Sequence, residues 1–437
     1  MRMFPRILSL LLLVGAGASH AQVERISVTD DEQQATGGSF APVVSADGSV
    51  IAFRSSAANL VAGDTNDLPD VFVRDLAAGT TVLASLRPDG QPAGDFSKRP
   101  SISDDGRLVA FEAKHPNSSV LVTALRDRAL GTTEYLVPNT SSGNPSAPLI
   151  ARLQGAVSAD GSSIAFVTRD SLQNAFPASI RPINDDSNLT FDVFVYDHAT
   201  QPTPAIERVS RSTPSQELDA DSRSPSISGD GSMVAFESFS ELVPGDDNNA
   251  PDVVARDRLT NTLELISIAL DATSGNGPSF APSISGEGRF IAFRSAASDL
   301  VAGDTNSRHD VFVRDRTAGT TVRVSVATGG DQADGHSMDP SISSDGRFVA
   351  FRSTATNLVA GDTNGRSDIF VHDRVTSETA RVGEPSGGQS NGTSAAPSLS
   401  GNGAWIVFES DATNLVAGDT NDSRDIFRAA NPLWSTP

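Results

Sequence analysis

The chain predicts an all-β fold, a seven-bladed β-propeller of four-stranded blades in which the N-terminal strand completes the last blade. Three observations predict it. A Ser-x-Asp-Gly turn recurs seven times, at residues 45–48, 103–106, 158–161, 228–231, 285–288, 343–346 and 400–403, with Glu287 and Asn402 in place of Asp in the fifth and last copies. The copies lie about 55 to 58 residues apart, with one gap of about 70, close to the periods that mark solenoids and propellers. Each turn leads into an apolar run such as Phe348-Val349-Ala350-Phe351, which lacks the alternation of a one-sided sheet and must be covered on both faces. Finally, the last copy stops after a third strand, Asp425-Ile426-Phe427-Arg428. The strand it lacks reads at the other end, where Glu24-Arg25-Ile26-Ser27-Val28 resembles Val322-Arg323-Val324-Ser325-Val326. Pairing those ends shuts the ring and leaves no open sheet edge.

The unit at residues 339–383 shows the four strands one by one. The first is expected over 340–343 and the second over 347–353, joined by the Asp-Gly turn, whose residues tolerate positive φ in a tight hairpin. A long polar loop leads to the third strand, 368–373, and a short turn to the fourth, 379–382, which has a fuller version at 321–326. The second repeat, around 98–139, has a shortened middle loop, and the third carries an insertion around 171–189. Because the strands alternate in direction, the second-to-third loops and the fourth-to-first connections emerge on one face. The Asp-Gly and third-to-fourth turns emerge on the other. The first face also carries the long segments 271–281 and 327–339, so it is the candidate binding face, since function gathers on long loops held by a rigid scaffold.

Charge narrows the function classes. A net charge of −21 excludes a nucleic-acid partner, whose phosphates need a basic surface. Arg2 and Arg6 precede the apolar run 7–14 and the small residues ending Ser19-His20-Ala21, the pattern of a signal peptide cut after Ala21. Residues 1–21 are therefore read as an export signal and 22–437 as the propeller, periplasmic or secreted, with no membrane span in the processed chain. Cysteine is absent, which rules out a disulfide framework and leaves stability to the core.

With turns and Asp-Val-Phe-Val-Arg-Asp strands in place, the chain resembles the WD40-like repeat of the TolB-type propeller proteins, most clearly at 282–295, 340–353 and 397–410. The resemblance covers nearly the whole processed chain. It implies a bacterial envelope or secreted propeller that serves as a protein-interaction platform. TolB itself carries an α/β domain before its propeller, where this sequence has only the short segment 22–38.

One motif calls for an explanation in chemistry. Asp-x-Asn-x-x-x-Asp recurs between second and third strands as Asp64/Asn66/Asp70, Asp186/Asn188/Asp192, Asp246/Asn248/Asp252, Asp304/Asn306/Asp310, Asp362/Asn364/Asp368 and Asp419/Asn421/Asp425. Only the second repeat lacks it. Alternating oxygen-bearing residues in a loop can wrap a hard cation such as calcium. The same residues also shape turns by bonding nearby backbone, and duplication would copy either device.

Catalytic patterns are sparse. Gly388-Gln389-Ser390-Asn391-Gly392 fits Gly-x-Ser-x-Gly but lies in a loop without the strand and helix of a nucleophile elbow. His115, His198, His309, His336 and His372 are scattered, although His309 and His336 are placed to meet on the long-loop face. The recurrent pairs Arg74-Asp75, Arg256-Asp257 and Arg314-Asp315 are expected to cap turns within their blades. The expectation is a non-enzymatic exported propeller that binds a protein or envelope glycan. The alternative is a hydrolase or lyase acting on glycans with acidic residues at the channel mouth.

Overall fold

Seven four-stranded antiparallel sheets follow one another along the chain, and the computed structural model describes them over residues 23–94, 97–114, 121–136, 151–152, 156–168, 190–198, 205–212, 220–385 and 388–435. The predicted export signal and residues 115–120, 137–150 and 171–189 lie outside the described residues. Blade 5 represents the set, with strands Ser279–Ile284, Phe290–Ser295, Asp310–Asp315 and Thr320–Arg323 paired in that order. Blade 6 repeats it as Ser337–Ile342, Phe348–Ser353, Asp368–Asp373 and Glu378–Val382. Successive blades meet through their first strands, which surround the axis.

The doubly apolar second strand is used on both faces. Val349 and Phe351 pack with Ala292, Val311 and Val313 of blade 5, while Phe348 and Ala350 pack with Ile406, Phe408 and Phe427 of blade 7. All four are at most 2% exposed, so each blade is the core of both neighbours. Cross-strand phenylalanines reinforce this, as Phe351 opposite Phe370 with ring centroids 6.0 Å apart and Phe293 opposite Phe312 at 5.9 Å. Such a pair adds roughly 0.5–1.5 kcal/mol beyond its buried area.

Ring closure is as expected. Val23–Arg25 pairs antiparallel with Asp425–Ala430, Glu24 lying opposite Arg428, and the Ile26 N–H continues the ladder by donating to the Ile426 carbonyl at 2.8 Å. The two faces also sort as predicted, because the second-to-third loop of a blade bonds to the following fourth-to-first connection: Asn306 Nδ2 donates to the Ala333 carbonyl at 3.0 Å.

Two strand limits differ from expectation. The first strand of blade 6 starts at Ser337, three residues before Pro340, and bulges at Asp339, whose φ is +53°. Proline cannot donate to the ladder, and the bulge sets it where no donor is needed. The fourth strand of blade 5 ends at Arg323, sooner than the predicted 326. Beyond it the Val324 and Ser325 N–H groups both turn to the Val311 carbonyl.

The Asp-Gly face is knitted together around the axis. Backbone bonds run from Ala46 to Asp104, Asp104 to Ala159, Asp160 to Gly229, Gly229 to Gly286, Gly286 to Ser344, Ser344 to Gly401, and Asn402 back to Ala46, all within 2.8–3.1 Å. The residue after each turn serine is small in six repeats because seven such positions converge here; Asp104 is the exception.

Candidate functional site

Five of the six Asp-x-Asn-x-x-x-Asp loops lie on the long-loop face as predicted; of the other, only Asp192 is among the described residues, and Asp186 and Asn188 fall outside them. Blade 5 shows what the motif builds. Asp310 opens the third strand, fully buried, and accepts the Ser325 hydroxyl at 2.5 Å and Asn306 Nδ2 at 2.8 Å. The Asn306 carbonyl oxygen in turn accepts the Arg308 N–H at 2.9 Å. Arg323, at the end of the fourth strand, sets Nη1 3.1 Å from Asp304 and 3.6 Å from Asp310. Burial raises both carboxyls, and the guanidinium and hydrogen bonds work against that rise.

The same clasp recurs with substitutions. Blade 6 keeps Asp362, Asn364, Asp368 and Arg381, with Gly383 where the serine would stand, and burial pushes Asp368 up to about 6. Blade 3 retains Asp192, Ser210 and Arg208. In blade 7 the two ends of the chain share it: Arg25, Ser27 and Gln34 from one end meet Asp419 and Asp425 from the other. Asn421 donates to the Ala35 carbonyl at 2.8 Å. Blade 2 has Ala113 and Val122 where blade 1 pairs Ser55 with Asp70 and blade 3 pairs Thr168 with Asp192, so an apolar residue stands in place of the buried clasp carboxylate.

Blades 1 and 4 are different in kind. Leu83 and Leu265 stand where blades 3, 5, 6 and 7 have arginine, so Asp64 with Asp70 and Asp246 with Asp252 face each other without a guanidinium. Burial pushes Asp70 up to about 6. Burial, then the Asp252 charge, pushes Asp246 up to about 7.

The asparagines of these two loops bond to their own loop and to the following connection. Asn66 Nδ2 donates to Asp70 and to the Ala93 carbonyl, both at 2.8 Å, while its Oδ1 accepts the Leu68 N–H at 2.8 Å. Asn248 repeats the pattern, donating to Asp252 at 2.8 Å and to the Gly275 carbonyl at 2.6 Å, with Oδ1 accepting the Ala250 N–H at 2.6 Å. Each amide turns its nitrogen toward the carboxylate and spends its oxygen on its own loop, an Asx turn. Asn306, Asn364 and Asn421 form the same turn, each Oδ1 accepting the N–H two residues on. What these loops leave for a cation is carboxylate oxygen. Among the described residues no three or more His, Cys, Asp or Glu side chains are grouped to hold a metal ion.

Other expected features resolve locally. Ser390 is buried and bonds within its own loop, to the Gly392 carbonyl at 3.1 Å. The Arg-Asp pairs cap turns: Arg314 donates to the Gly319 carbonyl at 2.9 Å, and Asp315 accepts the Thr317 and Ala318 N–H groups at 3.0 Å. His309 and His336 do meet, with ring centroids 5.4 Å apart.

Sequence reasoning missed the axial mouth on the long-loop face. Here the first-strand residue just before the bulge varies in six blades, as Phe40, Lys98, Arg223, Phe280, Met338 and Ala395. Arg223 lies between the rings of Phe191 and Phe239, at 5.0 and 5.7 Å, and Phe239 is 42% exposed. Lys98 and Arg99 both pair with the buried Glu112, and Arg424 pairs with Glu409 while facing the Phe40 ring. The signal was present as the one variable site after each Val-Ala-Phe run: Arg54, Glu112, Val167, Glu237, Arg294, Arg352 and Glu409.

Fold and mouth together define a closed seven-bladed propeller with one variable, charged face. No family model matches the sequence, and no curated protein matches it. Solved structures do. An oligogalacturonate lyase in complex with manganese superposes with a TM-score of 0.54 at 13% identity, covering 94% of each chain. The propeller domain of the trilobed protease of Pyrococcus furiosus does so at 0.53 and 12%, covering 90% of this chain and 93% of that one. An acylaminoacyl peptidase gives 0.52 at 10%, covering 90% of this chain and 51% of that one. At such identities the likeness establishes the fold alone.

Proposed function

We propose that this chain is an exported, non-enzymatic propeller that binds a protein or envelope glycan through its long-loop face. The observation that supports it is the contrast between the two ends of the axis. The Asp-Gly end repeats small residues locked in a ring of backbone bonds, whereas the mouth changes between aromatic, basic, acidic and small side chains from blade to blade. Repetition serves assembly, and variation on a rigid scaffold serves recognition. Export follows from the sequence of residues 1–21, and among the described residues no helix is long and apolar enough to cross a membrane.

Calcium has its place in this reading at the Asp64–Asp70 and Asp246–Asp252 carboxylate pairs, where leucine leaves the clasp without its cation. Melting with calcium and with a chelator checks that assignment: a ligand bound only to the folded chain raises the midpoint, and an unchanged midpoint removes it.

Capture from an envelope extract tests the platform reading. Wild type should retain a partner that Phe239→Asp releases while the variant still melts as one cooperative unit. Equal retention by both would sink the reading. The second reading is an enzyme acting on glycans with acidic residues at the channel mouth, where Glu112, Glu237 and Glu409 stand. New chain ends appearing when the protein is incubated with an acidic oligosaccharide would establish it.

A further inference from the structure

Blades meet at seams beside the mouth, and the second-strand residue after each apolar run stands next to them. It is glutamate in blades 2, 4 and 7, and in two of these it is seen to reach across. Glu237 accepts the Ala281 N–H at 2.8 Å, and Glu409 accepts the Ala41 N–H at 2.7 Å. The accepting position matters because Ala41 and Ala281 are the bulged residues of the first strands, with φ of +51° and +52°, and lie outside the ladder. The chain thus supplies a carboxylate to an N–H that the sheet leaves over.

Between blades 5 and 6 the arrangement is inverted. Arg294 occupies the position of Glu237, and the bulged residue facing it is Asp339, with φ of +53°. Among the described residues no side chain accepts the Asp339 N–H, and no carboxylate pairs with Arg294. The Arg294 guanidinium lies over the Phe280 ring at 5.0 Å and points Nη1 at Met338 Sδ, 3.5 Å away, so it is held in place and still half exposed. The Asp339 carboxylate is taken by Arg352 at 2.5 Å. His336 lies three residues before Asp339, and its partner His309 feels the charge of Arg294. His336 Nδ1 accepts the His309 N–H at 3.0 Å, which leaves Nε2 as the N–H of the neutral ring. A guanidinium and an N–H, with His336 close in sequence, therefore stand at a seam where two sister seams hold a carboxylate.

We propose that the seam between blades 5 and 6 is a binding site for a ligand carboxylate, held by the Arg294 guanidinium, the Asp339 N–H and His336. It rests on the reading that the long-loop face is the binding face. The charge of the surroundings selects the ligand further. Arg294, Arg352 and Asp339 leave one surplus positive charge in a chain of net charge −21, which repels a polyanion and accepts an isolated carboxylate. Two sources present that group: a free sugar acid, or a single uronic acid unit on an otherwise neutral glycan. A carboxylate bound bidentate by an arginine gains both energy and orientation, which a neutral ester cannot replace.

Calorimetric titration of the whole processed chain tests this at low salt. The ligands are glucuronate, its methyl ester, and a neutral oligosaccharide ending in one glucuronate. Glucuronate should bind at least about tenfold tighter than the ester, the loss expected when a charge-assisted pair goes. Tighter binding of the oligosaccharide identifies a glycan, and equal binding identifies a free acid. Arg294→Gln removes the charge without adding a negative one, so it should keep the melting midpoint and lose binding about tenfold or more; Arg294→Glu, which faces Asp339 where the sister glutamates face alanine, should lose binding further. Absence of binding to wild type, equal binding of acid and ester, or binding unaffected by Arg294→Glu overturns the carboxylate site. None of those results touches the capture experiment with Phe239→Asp, so the two readings fail separately.

Discussion

His372 fills the third-strand position that holds Arg74, Arg126, Arg256 and Arg314 in blades 1, 2, 4 and 5. It is buried, its Nδ1 2.9 Å from Thr379 Oγ1, and burial pushes its pKa from 6.5 down to about 4. The unfolded chain then takes up a proton that the folded one refuses. Stability is unaffected above about pH 6.5 and falls progressively as pH drops toward 4, by on the order of 3 kcal/mol. His372→Arg, which restores the side chain of the other blades, should flatten that part of the profile in urea melts from pH 4 to 7.5. Glycine is equally constrained at Gly346, where φ is +73° and an added Cβ would lie 2.1 Å from the Phe290 ring of the preceding blade. Gly346→Ala should lower the unfolding free energy by roughly 2 kcal/mol or more, read as a shift in the urea midpoint. The glycine was legible as half of a hairpin signal. Its neighbour across the seam was not, because contacts between blades join residues some fifty-six apart.

At the scale of the element, the clasp explains why the Asp-x-Asn spacing looked like a cation loop. The charge that complements Asp304 and Asp310 is already in the chain, as Arg323, but it sits on the fourth strand and no local pattern links it to the loop. The serine partner was hidden the same way: Ser325 lies fifteen residues from Asp310. The asparagine was ambiguous for another reason, since Asn66 and Asn248 offer an oxygen and a nitrogen, and only the fold shows which one faces the carboxylate. What the sequence did reveal was the strand content, since the doubly apolar second strand and the Asp-Gly turn are local. The bulge at Asp339 escaped because Pro340 reads as a strand start. Blade 4 gives the clasp a direct test. Asp246, raised to about 7, binds a proton in the folded chain that the unfolded chain releases near pH 4. That pair therefore contributes stability below about pH 4 that is lost as pH rises through about 7, the opposite sign to His372. Leu265→Arg supplies the missing guanidinium and should raise stability at pH 8 by about 1–2 kcal/mol while leaving it little changed at pH 4. A variant destabilised at both pH values would show that the leucine is needed for packing.

For the whole molecule, the strongest constraint is that a ring has no spare seam. Each blade is covered by two neighbours, so the joint between the first and seventh must hold as well as those that chain continuity supports. It does so with short-range chemistry: Ile26 and Val28 are at most 4% exposed, Ser27 donates to the buried Asp425 at 2.5 Å, and Arg25 lies 3.3 Å from Asp419. Burying two such aliphatic side chains contributes about 1.5–3 kcal/mol each, and stripping the hydroxyl from a buried carboxylate costs another 1–3. Starting the chain at Thr29, so that it enters the ring without residues 22–28, should therefore remove on the order of 5 kcal/mol. It also exposes the Asp425–Ala430 strand as a free edge, an invitation to pair with another copy. The expected outcome is a melting midpoint lowered by ten degrees or more together with concentration-dependent oligomers in size-exclusion chromatography. A synthetic peptide of residues 22–28 added in excess should reverse both, because it can dock only where the strand is missing. If the shortened chain melts like the full one and stays monomeric, blade 7 stands without its fourth strand, and closure is a feature of the topology with no part in stability.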